Sequence, residues 1–246
     1  MKVLGIDIGG SGVKGAIVDT DLGKFVSERH RIPTPHSAKP EPVARTVLKV
    51  VNHFKWQGIV GCGFPAVIQH GVARTASNID KSWIDTNVAE LFSKTTKCKT
   101  HVLNDADAAG IAEMKCGAGK NKPSVVIMLT VGTGIGSGLF LDGRLFPNTE
   151  FGQFLLEGDV AEKYAADSVR KDLDLSWKKW GKRLNKYLNH LEMLLWPDLI
   201  ILGGGVSKKF EKYSKYFELQ AEIQPAQLKN EAGIIGAAIA ASEAFS

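Results

Sequence analysis

Short apolar runs that lead into glycine-rich loops recur along the chain. Residues 3–8 are largely apolar and enter the loop Gly9–Gly10–Ser11–Gly12, and residues 13–19 predict a second strand with a turn over 21–24. The pattern restarts with an apolar strand over 124–131 and a loop over 132–136, followed by a strand over 137–141 and a turn at 142–143. Two such copies, about 125 residues apart, predict two lobes built on the same core.

Helical and strand periodicity fills much of the remaining chain. Apolar residues at helical spacing predict helices, and short apolar runs predict further strands. The expected helices cover residues 42–54, 87–94, 106–114, 161–171, 176–195 and 233–245, and the expected strands cover 24–31, 58–63, 101–103 and 198–202. We therefore predict an α/β protein of two lobes with a central cleft. The N-terminal lobe would cover 1–106, with residues 233–246 packing back on it, and the C-terminal lobe would cover 107–232.

The composition is that of an ordinary globular protein, with 44% hydrophobic and 23% charged residues in a chain of 246. The net charge of +5 favours polyanionic partners such as nucleic acid, polyphosphate or an anionic membrane, although it also serves solubility alone. Cys62, Cys98 and Cys116 are far apart and form no C-x-x-C pair, which argues against disulfides or a zinc site and indicates a reducing cytosol. We expect no secretory signal, because the N-terminal apolar run is short and is followed by the acidic Asp7. We expect no membrane span, because no apolar run approaches ~20 residues.

The two glycine loops are candidates for phosphate binding. Glycine leaves backbone N–H groups open to a phosphate because it has no Cβ. At the first loop, Asp7 could hold a magnesium ion through water and Lys14 could neutralise phosphate charge, whereas the alternative is a plain glycine hairpin. Together, the loops would close on a phosphoryl chain from both sides. No G-x-x-x-x-G-K-[ST] segment occurs, which disfavours a Walker-type NTPase, and the opening hairpin differs from a Rossmann unit.

A carboxylate at a strand-to-helix junction is the candidate catalytic base. Phosphoryl transfer to a hydroxyl needs a carboxylate that positions the nucleophile and accepts its proton. Asp105, which follows Asn104 at this junction, is the candidate, and Asp107 is its competitor. The alternative role for both aspartates is capping of the helix.

Carboxylate and amide side chains further along the chain could bind sugar hydroxyls. Hydroxyl groups can form hydrogen bonds with each of Glu150, Gln153 and Glu162. The alternative interpretation is that these residues lie on the solvated surface. Two groups of basic residues follow. They would form either an ordinary solvated surface or a docking surface that attracts a polyanionic donor through screened charge. The first group is Lys178, Lys179, Lys182, Arg183 and Lys186, and the second is Lys208, Lys209, Lys212 and Lys215.

In combination, these motifs resemble those of the ROK sugar kinases. The matching segments are 7–10, 104–105, 129–136, 150–152 and 202–207, in the same order over nearly the whole chain. Segments 78–83, 174–177, 194–200, 203–209 and 230–236 are similar to the polyphosphate-dependent glucokinases of that family.

The resemblance implies an actin-like ATPase (ribonuclease H-like) fold and a cytoplasmic homodimer. It implies transfer of the terminal phosphoryl group of polyphosphate, ATP or both to the 6-hydroxyl of glucose with Mg²⁺, with Asp105 as the catalytic base and with neither nucleic acid nor membrane as a partner. The sugar would be bound by Asn78, Asn104, Asp105, Glu150, Gln153 and Glu162. Phosphates would be bound by Asp7, Gly9, Gly10, Ser11, Gly12, Lys14, Gly132, Thr133, Gly134, Gly203, Gly204 and Gly205, with Asp7 on magnesium and the last three near the nucleotide base if ATP binds.

Two departures from the family pattern qualify what the resemblance implies. The cysteine cluster that holds zinc in many ROK proteins is missing, so we predict no structural zinc. Gln153 stands where the family has histidine, and glutamine pairs with a hydroxyl but carries no charge, which bears on sugar identity or affinity more than on the reaction type. The alternative functions are an ATP-dependent hexokinase of the same family and a non-catalytic sugar- or polyphosphate-binding relative.

Overall fold

The computed structural model describes residues 1–77, 79–122 and 124–246. The α-helices are α1 Pro40–His53, α2 Val88–Thr96, α3 Asp105–Cys116, α4 Glu162–Ala165, α5 Asp167–Asp172, α6 Trp177–Leu195 and α7 Ala232–Ala244. The strands are β1 Lys2–Gly9, β2 Gly12–Asp19, β3 Lys24–Phe25, β4 His30–Ile32, β5 Val60–Phe64, β6 Ile68–Gln69, β7 Val72–Ala73, β8 Thr100–Asn104, β9 Val125–Val131, β10 Ile135–Leu141, β11 Arg144–Phe146, β12 Leu155–Leu156, β13 Asp159–Val160, β14 Leu199–Gly203 and β15 Glu222–Pro225. Short 3₁₀ helices cover Lys81–Trp83, Gly205–Lys212, Ser214–Tyr216 and Lys229–Glu231.

The chain forms two compact units, one of Met1–Ala112 with Glu231–Ser246 and one of Glu113–Asn230. The first boundary lies six residues beyond the predicted 106/107, inside the continuous helix α3. The Glu113 side chain explains why the division comes there, since its carboxylate accepts hydrogen bonds from the backbone N–H groups of Ala118 and Leu228. These two bonds tie the last turns of α3 to the second unit.

The first unit is built on a sheet with the strand order β3-β2-β1-β5-β8, and β4 also pairs with β2. Strands β1 and β2 form an antiparallel hairpin, whereas β1, β5 and β8 run parallel. Helix α7 packs directly on β1 and β5. This approach requires glycine, because a methyl group added at Gly61 would lie 1.9 Å from the carbonyl oxygen of Ala237. The C-terminal helix is therefore an integral part of the first unit.

The second unit repeats this sheet. Its strand order is β11-β10-β9-β14-β15, in which β9 and β10 form an antiparallel hairpin and β9, β14 and β15 run parallel. Each sheet thus has a hairpin at its centre, a third antiparallel strand on one side and two parallel strands on the other. The repeat predicted from the apolar runs and glycine loops is confirmed at the level of sheet topology.

Aromatic side chains fill the core of each unit. In the first unit, Phe64, Trp83 and Phe92 are fully buried and pack edge to face. In the second unit, the apolar stripe of α6 includes the buried residues Trp180 and Tyr187. In the part of the chain that the structure describes, no helix has the length and apolar content needed to cross a bilayer.

Two predicted elements are broken in the structure by side-chain hydrogen bonds. The strand expected over 24–31 is wrong as one element, because the Ser27 hydroxyl accepts the backbone N–H of Ile17 and takes the place of a strand partner between β3 and β4. The helix expected over 161–171 is interrupted at Ala166, whose ψ of 158° is extended, and is therefore two short helices, α4 and α5. The Trp180 indole N–H donates to the carbonyl oxygens of Ala165 and Ala166 at this break, which separates α4 from α5.

Candidate active site

Three charged residues lie in one row across the sheet of the first unit. Asp7 on β1 is paired in register with Lys14 on β2, and Lys14 is paired with Arg31 on β4. The Lys14 ammonium donates to Asp7 Oδ2 at 2.9 Å, and both side chains are mostly buried. Residues directly opposite on neighbouring strands project to the same face of a sheet, so two cations and one carboxylate lie together next to the first glycine loop.

Arg31 and Thr34 hold the first glycine loop, and the sequence analysis did not identify either residue. The Arg31 guanidinium donates to the carbonyl oxygen of Ser11 at 2.6 Å, and the Thr34 hydroxyl donates to that of Gly9. A methyl group added at Gly12 would lie 2.7 Å from Arg31 Nε. The loop is thus held by partners 20 and 25 residues away in the sequence, and Arg31 adds a second cation to Lys14.

Asn104 and Asp105 lie where β8 ends and α3 begins, and they have different roles. Asn104 is buried; its Oδ1 accepts from the N–H groups of Ala106 and Asp107, and its amide donates to the carbonyl oxygen of Ala66. The predicted helix cap is therefore provided by Asn104. Asp105 is partly exposed, with Oδ1 2.8 Å from the Ala106 nitrogen, whereas Asp107 is buried. Of the two aspartates, Asp105 is the one that a ligand can reach.

Asp7 and Asp105 both lie at the carboxyl ends of the parallel strands, with glycines beside them. Asp7 is level with Gly63 on β5, and Gly63 is level with the residue that precedes Asn104 on β8. A methyl group added at Gly63 would lie 3.6 Å from the Asp105 Cα, and one at Gly233 would lie 3.4 Å from Asp7 Oδ1. This edge is where open α/β sheets bind ligands, and glycine keeps it unobstructed.

In the second unit, Ser168 on α5 fixes the direction of the second glycine loop. Its N–H donates to the carbonyl oxygen of Gly132 at 3.1 Å, and its hydroxyl donates to that of Thr133 at 2.7 Å. In a trans peptide the N–H points away from the C=O of the same plane, so the N–H groups of Thr133 and Gly134 point away from Ser168. Neither N–H donates a hydrogen bond within residues 1–77, 79–122 and 124–246. Two adjacent free donors of this kind can bind an anion.

Glu162 links this loop to a candidate sugar-binding residue. Its Oε2 accepts the N–H of Ile135 at 3.1 Å, and its Oε1 accepts the side-chain amide of Gln153 at 3.0 Å. A methyl group added at Gly134 would lie 2.4 Å from the same Oε2. The structure therefore brings together the predicted residues Gln153 and Glu162 beside the loop.

The third residue of this predicted group, Glu150, lies within electrostatic range of Glu162. The residue is exposed, but neighbouring protein atoms partly desolvate its carboxyl group. This desolvation, followed by the negative charge of Glu162, raises the pKa of Glu150 above its ordinary value. A carboxyl group in this state holds its proton more readily, which suits a hydrogen bond to a sugar hydroxyl.

The triple-glycine loop at residues 203–205 lies against the strand that leads into the second glycine loop. Gly204 has φ +76°, and a methyl group added there would lie 2.3 Å from the carbonyl oxygen of Val131. Gly203 is level with Thr130 in the β9–β14 pairing. The predicted residues of the two loops are therefore neighbours, whereas the predicted sugar ligand Asn78 lies outside the described residues.

Comparison with known proteins identifies the family. The ROK family model matches residues 3–153. The polyphosphate glucokinase of Mycobacterium tuberculosis is 48% identical over 237 residues, which cover 96% of this chain and 89% of the relative. The inorganic polyphosphate/ATP-glucomannokinase from Arthrobacter sp. strain KM has a solved structure that matches with a TM-score of 0.94 at 44% identity and covers 99% of both chains.

A more distant structure supports the fold alone. The ROK family glucokinase from Streptomyces griseus, solved in complex with glucose and AMPPNP, matches with a TM-score of 0.85 at 22% identity and covers 99% of this chain and 100% of that chain. The chain belongs to the ROK family and has the actin-like ATPase fold of its sugar kinases.

Proposed function

We propose that this chain is a polyphosphate-dependent glucokinase, which transfers the terminal phosphoryl group of inorganic polyphosphate to the 6-hydroxyl of glucose and also accepts ATP. The relatives from Mycobacterium tuberculosis and Arthrobacter support the substrates, since their names specify polyphosphate, and the Arthrobacter protein also uses ATP. The single observation that carries the proposal is the carboxyl edge of the first sheet, where Asp105 is accessible beside the row of Asp7, Lys14 and Arg31.

Asp105 is the proposed general base. Its carboxylate accepts the proton of the sugar hydroxyl as the new bond forms between that oxygen and the terminal phosphorus. The bond from phosphorus to the bridging oxygen of the donor breaks, and the shortened donor leaves with the bonding electron pair. Asn104 positions Asp105 by capping helix α3, so its own contribution to the sugar site is mainly structural.

The proposed phosphate ligands are of two kinds. In the first unit, Lys14 and Arg31 offer positive charge next to the first loop. In the second unit, the N–H groups of Thr133 and Gly134 offer neutral donors that Ser168 holds in place. Binding of one phosphoryl chain by both loops, and the cleft that this requires, remain predictions.

Asp7 fits one ligand position of a hydrated magnesium ion, and its Oδ2 also accepts a hydrogen bond from the Lys14 ammonium. Within the described chain, no three His, Cys, Asp or Glu side chains form a cluster that could bind a metal alone. Kinases instead bind Mg²⁺ through one or two carboxylates and substrate phosphates while it keeps several waters, and Asp7 supplies one such carboxylate. When bound, the ion would neutralise charge on the transferring phosphoryl group.

Glu150, Gln153 and Glu162 are the proposed sugar ligands. Gln153 already donates to Glu162, so a sugar hydroxyl would join an existing hydrogen-bonded pair. Because glutamine is uncharged at every pH, replacement of the family histidine removes one titrating group from this pocket.

We also propose that the protein is a homodimer, on the basis of the family resemblance. We propose a cytoplasmic location because the cysteines at positions 62, 98 and 116 are free, as is usual in a reducing compartment. Sedimentation velocity of the purified protein tests the dimer. A single monomeric species at all concentrations contradicts it.

The function is tested by a matrix of assays with glucose or mannose as acceptor and long-chain polyphosphate or ATP as donor at equal magnesium. We expect glucose-dependent consumption of polyphosphate with formation of glucose 6-phosphate. Turnover with ATP but not with polyphosphate would assign an ATP-dependent hexokinase, and binding of sugar without turnover with either donor would assign a non-catalytic relative. Either result overturns the proposal.

A further inference from the structure

The second unit carries a concentration of positive charge that the proposed chemistry does not use. Between Ser176 and Lys215 the sequence has nine Lys and Arg residues against three acidic residues. We call the exposed part of this surface the lysine track. It consists of Lys178, Lys179, Lys182 and Lys186 on α6 and of Lys208, Lys209, Lys212 and Lys215 on the 3₁₀ segments that follow the triple-glycine loop.

The lysines of α6 form a single exposed face. Their spacing of three and four residues places them on the side of the helix opposite the buried stripe that includes Trp180 and Leu184. From Lys178 to Lys186 the face extends about 12 Å along the helix axis. This is an elongated surface, as needed for an extended polyanion.

The two groups of lysines are neighbours in the folded unit. The Lys212 ammonium lies 6.0 Å from the centre of the Trp177 ring, at the first residue of α6. One turn later, a methyl group added at Gly181 would lie 2.9 Å from the Tyr216 ring. The segment that bears Lys212 therefore packs beside the first two turns of α6, next to Lys178.

The lysine track begins at the second glycine loop and the triple-glycine loop, which lie in the same unit. The 3₁₀ segment that bears Lys208 and Lys209 starts at Gly205, directly after the contact of Gly204 with Val131. From the other direction, α5 connects the second loop to the track, since Ser168 binds Thr133 and the Arg170 guanidinium lies 4.2 Å from the centre of the Trp177 ring. A chain held at the loops thus meets positive charge as it leaves them.

Much of this charge is not compensated within the protein. Lys186 pairs with Glu157, but Lys178, Lys182 and the two lysines at 208 and 209 form no ion pair in the part of the chain that the structure describes. Like charges four residues apart on a helix, such as Lys178 and Lys182, repel each other and destabilise it. A polyanionic ligand would remove this repulsion.

We propose that the lysine track binds the distal phosphates of long-chain polyphosphate while phosphates nearer the reacting end lie at the second glycine loop. The inference rests on the proposed function and deepens it, because it names the site for the part of the donor that does not react. Short donors such as ATP and tripolyphosphate end before most of the track. The track then affects affinity for long donors and leaves the chemical step unchanged.

The test compares two triple variants of the full chain that lose equal charge. K178Q/K182Q/K212Q removes charge from the track, and K24Q/K49Q/K99Q removes it from exposed lysines of the first unit. For the track variant, we expect KM for long-chain polyphosphate to rise about tenfold. The slope of log KM against log salt should fall by about 2, because each of the three lost contacts with a flexible polyanion contributes roughly 0.7. Its kcat, and its KM for tripolyphosphate and ATP, should equal those of the control.

The outcomes separate this inference from the proposed function. If the unmodified protein does not use polyphosphate, the proposed function itself is overturned. If it does, an unchanged KM for long-chain polyphosphate in the track variant overturns the lysine track, as does an equal rise in KM for ATP. Loss of binding to a labelled RNA oligonucleotide, with KM for polyphosphate retained, would overturn it by assigning the surface to nucleic acid. Matching melting temperatures of the two variants exclude misfolding.

Discussion

The two units share one sheet topology but differ in the chemistry of their central hairpins. In the first unit, the strands next to the glycine loop carry the paired charges Asp7 and Lys14. In the second unit, the corresponding positions of the hairpin pair Thr130 with Gly136, which are uncharged. Polar groups reach the second loop from elements later in the chain, through Glu162 at the start of α4 and Ser168 on α5.

This difference shows how one scaffold can serve two tasks. A charged hairpin beside an accessible carboxylate suits proton transfer and the binding of a cation. A neutral hairpin whose amides are held in one direction suits the binding of an anion without a competing charge. Under the proposed function, the repeat would supply the geometry, and the different residues at a few equivalent positions would supply the two roles.

The first prediction concerns the proposed general base of the first unit, Asp105. In Asp105→Asn, the side chain keeps its size and its contact with the Ala106 N–H but loses its ability to accept a proton. We expect kcat to fall about a thousandfold, within the range measured for general bases. The measurement is steady-state kinetics with saturating glucose and polyphosphate.

The melting temperature is the control for Asp105→Asn. It should not change, because Asn104 provides the cap of α3 and remains intact. General bases contribute at least about a hundredfold, so a variant that retains more than about a hundredth of the activity would show that another group takes the proton.

The second prediction concerns a substitution that disturbs the glycine loop of the second unit. In Gly134→Ala, the new methyl group meets Glu162 Oε2 at 2.4 Å, so the carboxylate must leave Ile135 and Gln153. We expect destabilisation of about 2 kcal/mol, seen as a fall of about 5 °C in melting temperature. Gly132→Ala is the matched control, since a methyl group there meets nothing within 4 Å. Equal melting temperatures for the two variants would contradict the prediction.

The sequence was sufficient to predict the parts of the molecule that local pattern determines. The apolar runs before each glycine loop predicted both hairpins, and the apolar stripe of Trp180, Leu184 and Tyr187 predicted α6. Asp105 also lies where a strand-to-helix junction was expected.

What the sequence could not predict depends on hydrogen bonds between distant residues. Arg31, Thr34 and Ser168 each donate to a loop carbonyl 20, 25 or 35 residues away. None of these donors interrupts a periodic pattern, and serine, threonine and arginine are common on surfaces. Their role becomes visible only when the sheet register places them beside the loops.

The third prediction concerns Ser168 and the direction of the loop amides. Ser168→Ala removes the hydroxyl bond to Thr133 but keeps the backbone bond to Gly132. Loss of one positioning hydrogen bond should lower kcat/KM for the phosphoryl donor about tenfold. KM for glucose should stay the same, and Ser168→Thr, which keeps the hydroxyl, should restore the activity. Equal loss of affinity for glucose and donor would indicate a general defect of folding.

The last prediction has the smallest effect and concerns Glu150. Its pKa is raised in the folded protein by desolvation and by Glu162, so the folded state holds this proton more tightly than the unfolded state. Stability is therefore lost as pH rises from the ordinary glutamate pKa through the raised value, and the penalty is complete above it. Glu150→Gln removes the titration, so it should melt slightly higher than the unmodified protein at neutral pH, since solvent screens much of the effect on this exposed residue. The difference should vanish at acidic pH, and activity should fall. A stability gain that is the same at both pH values would show that repacking, and not the charge of Glu150, is responsible.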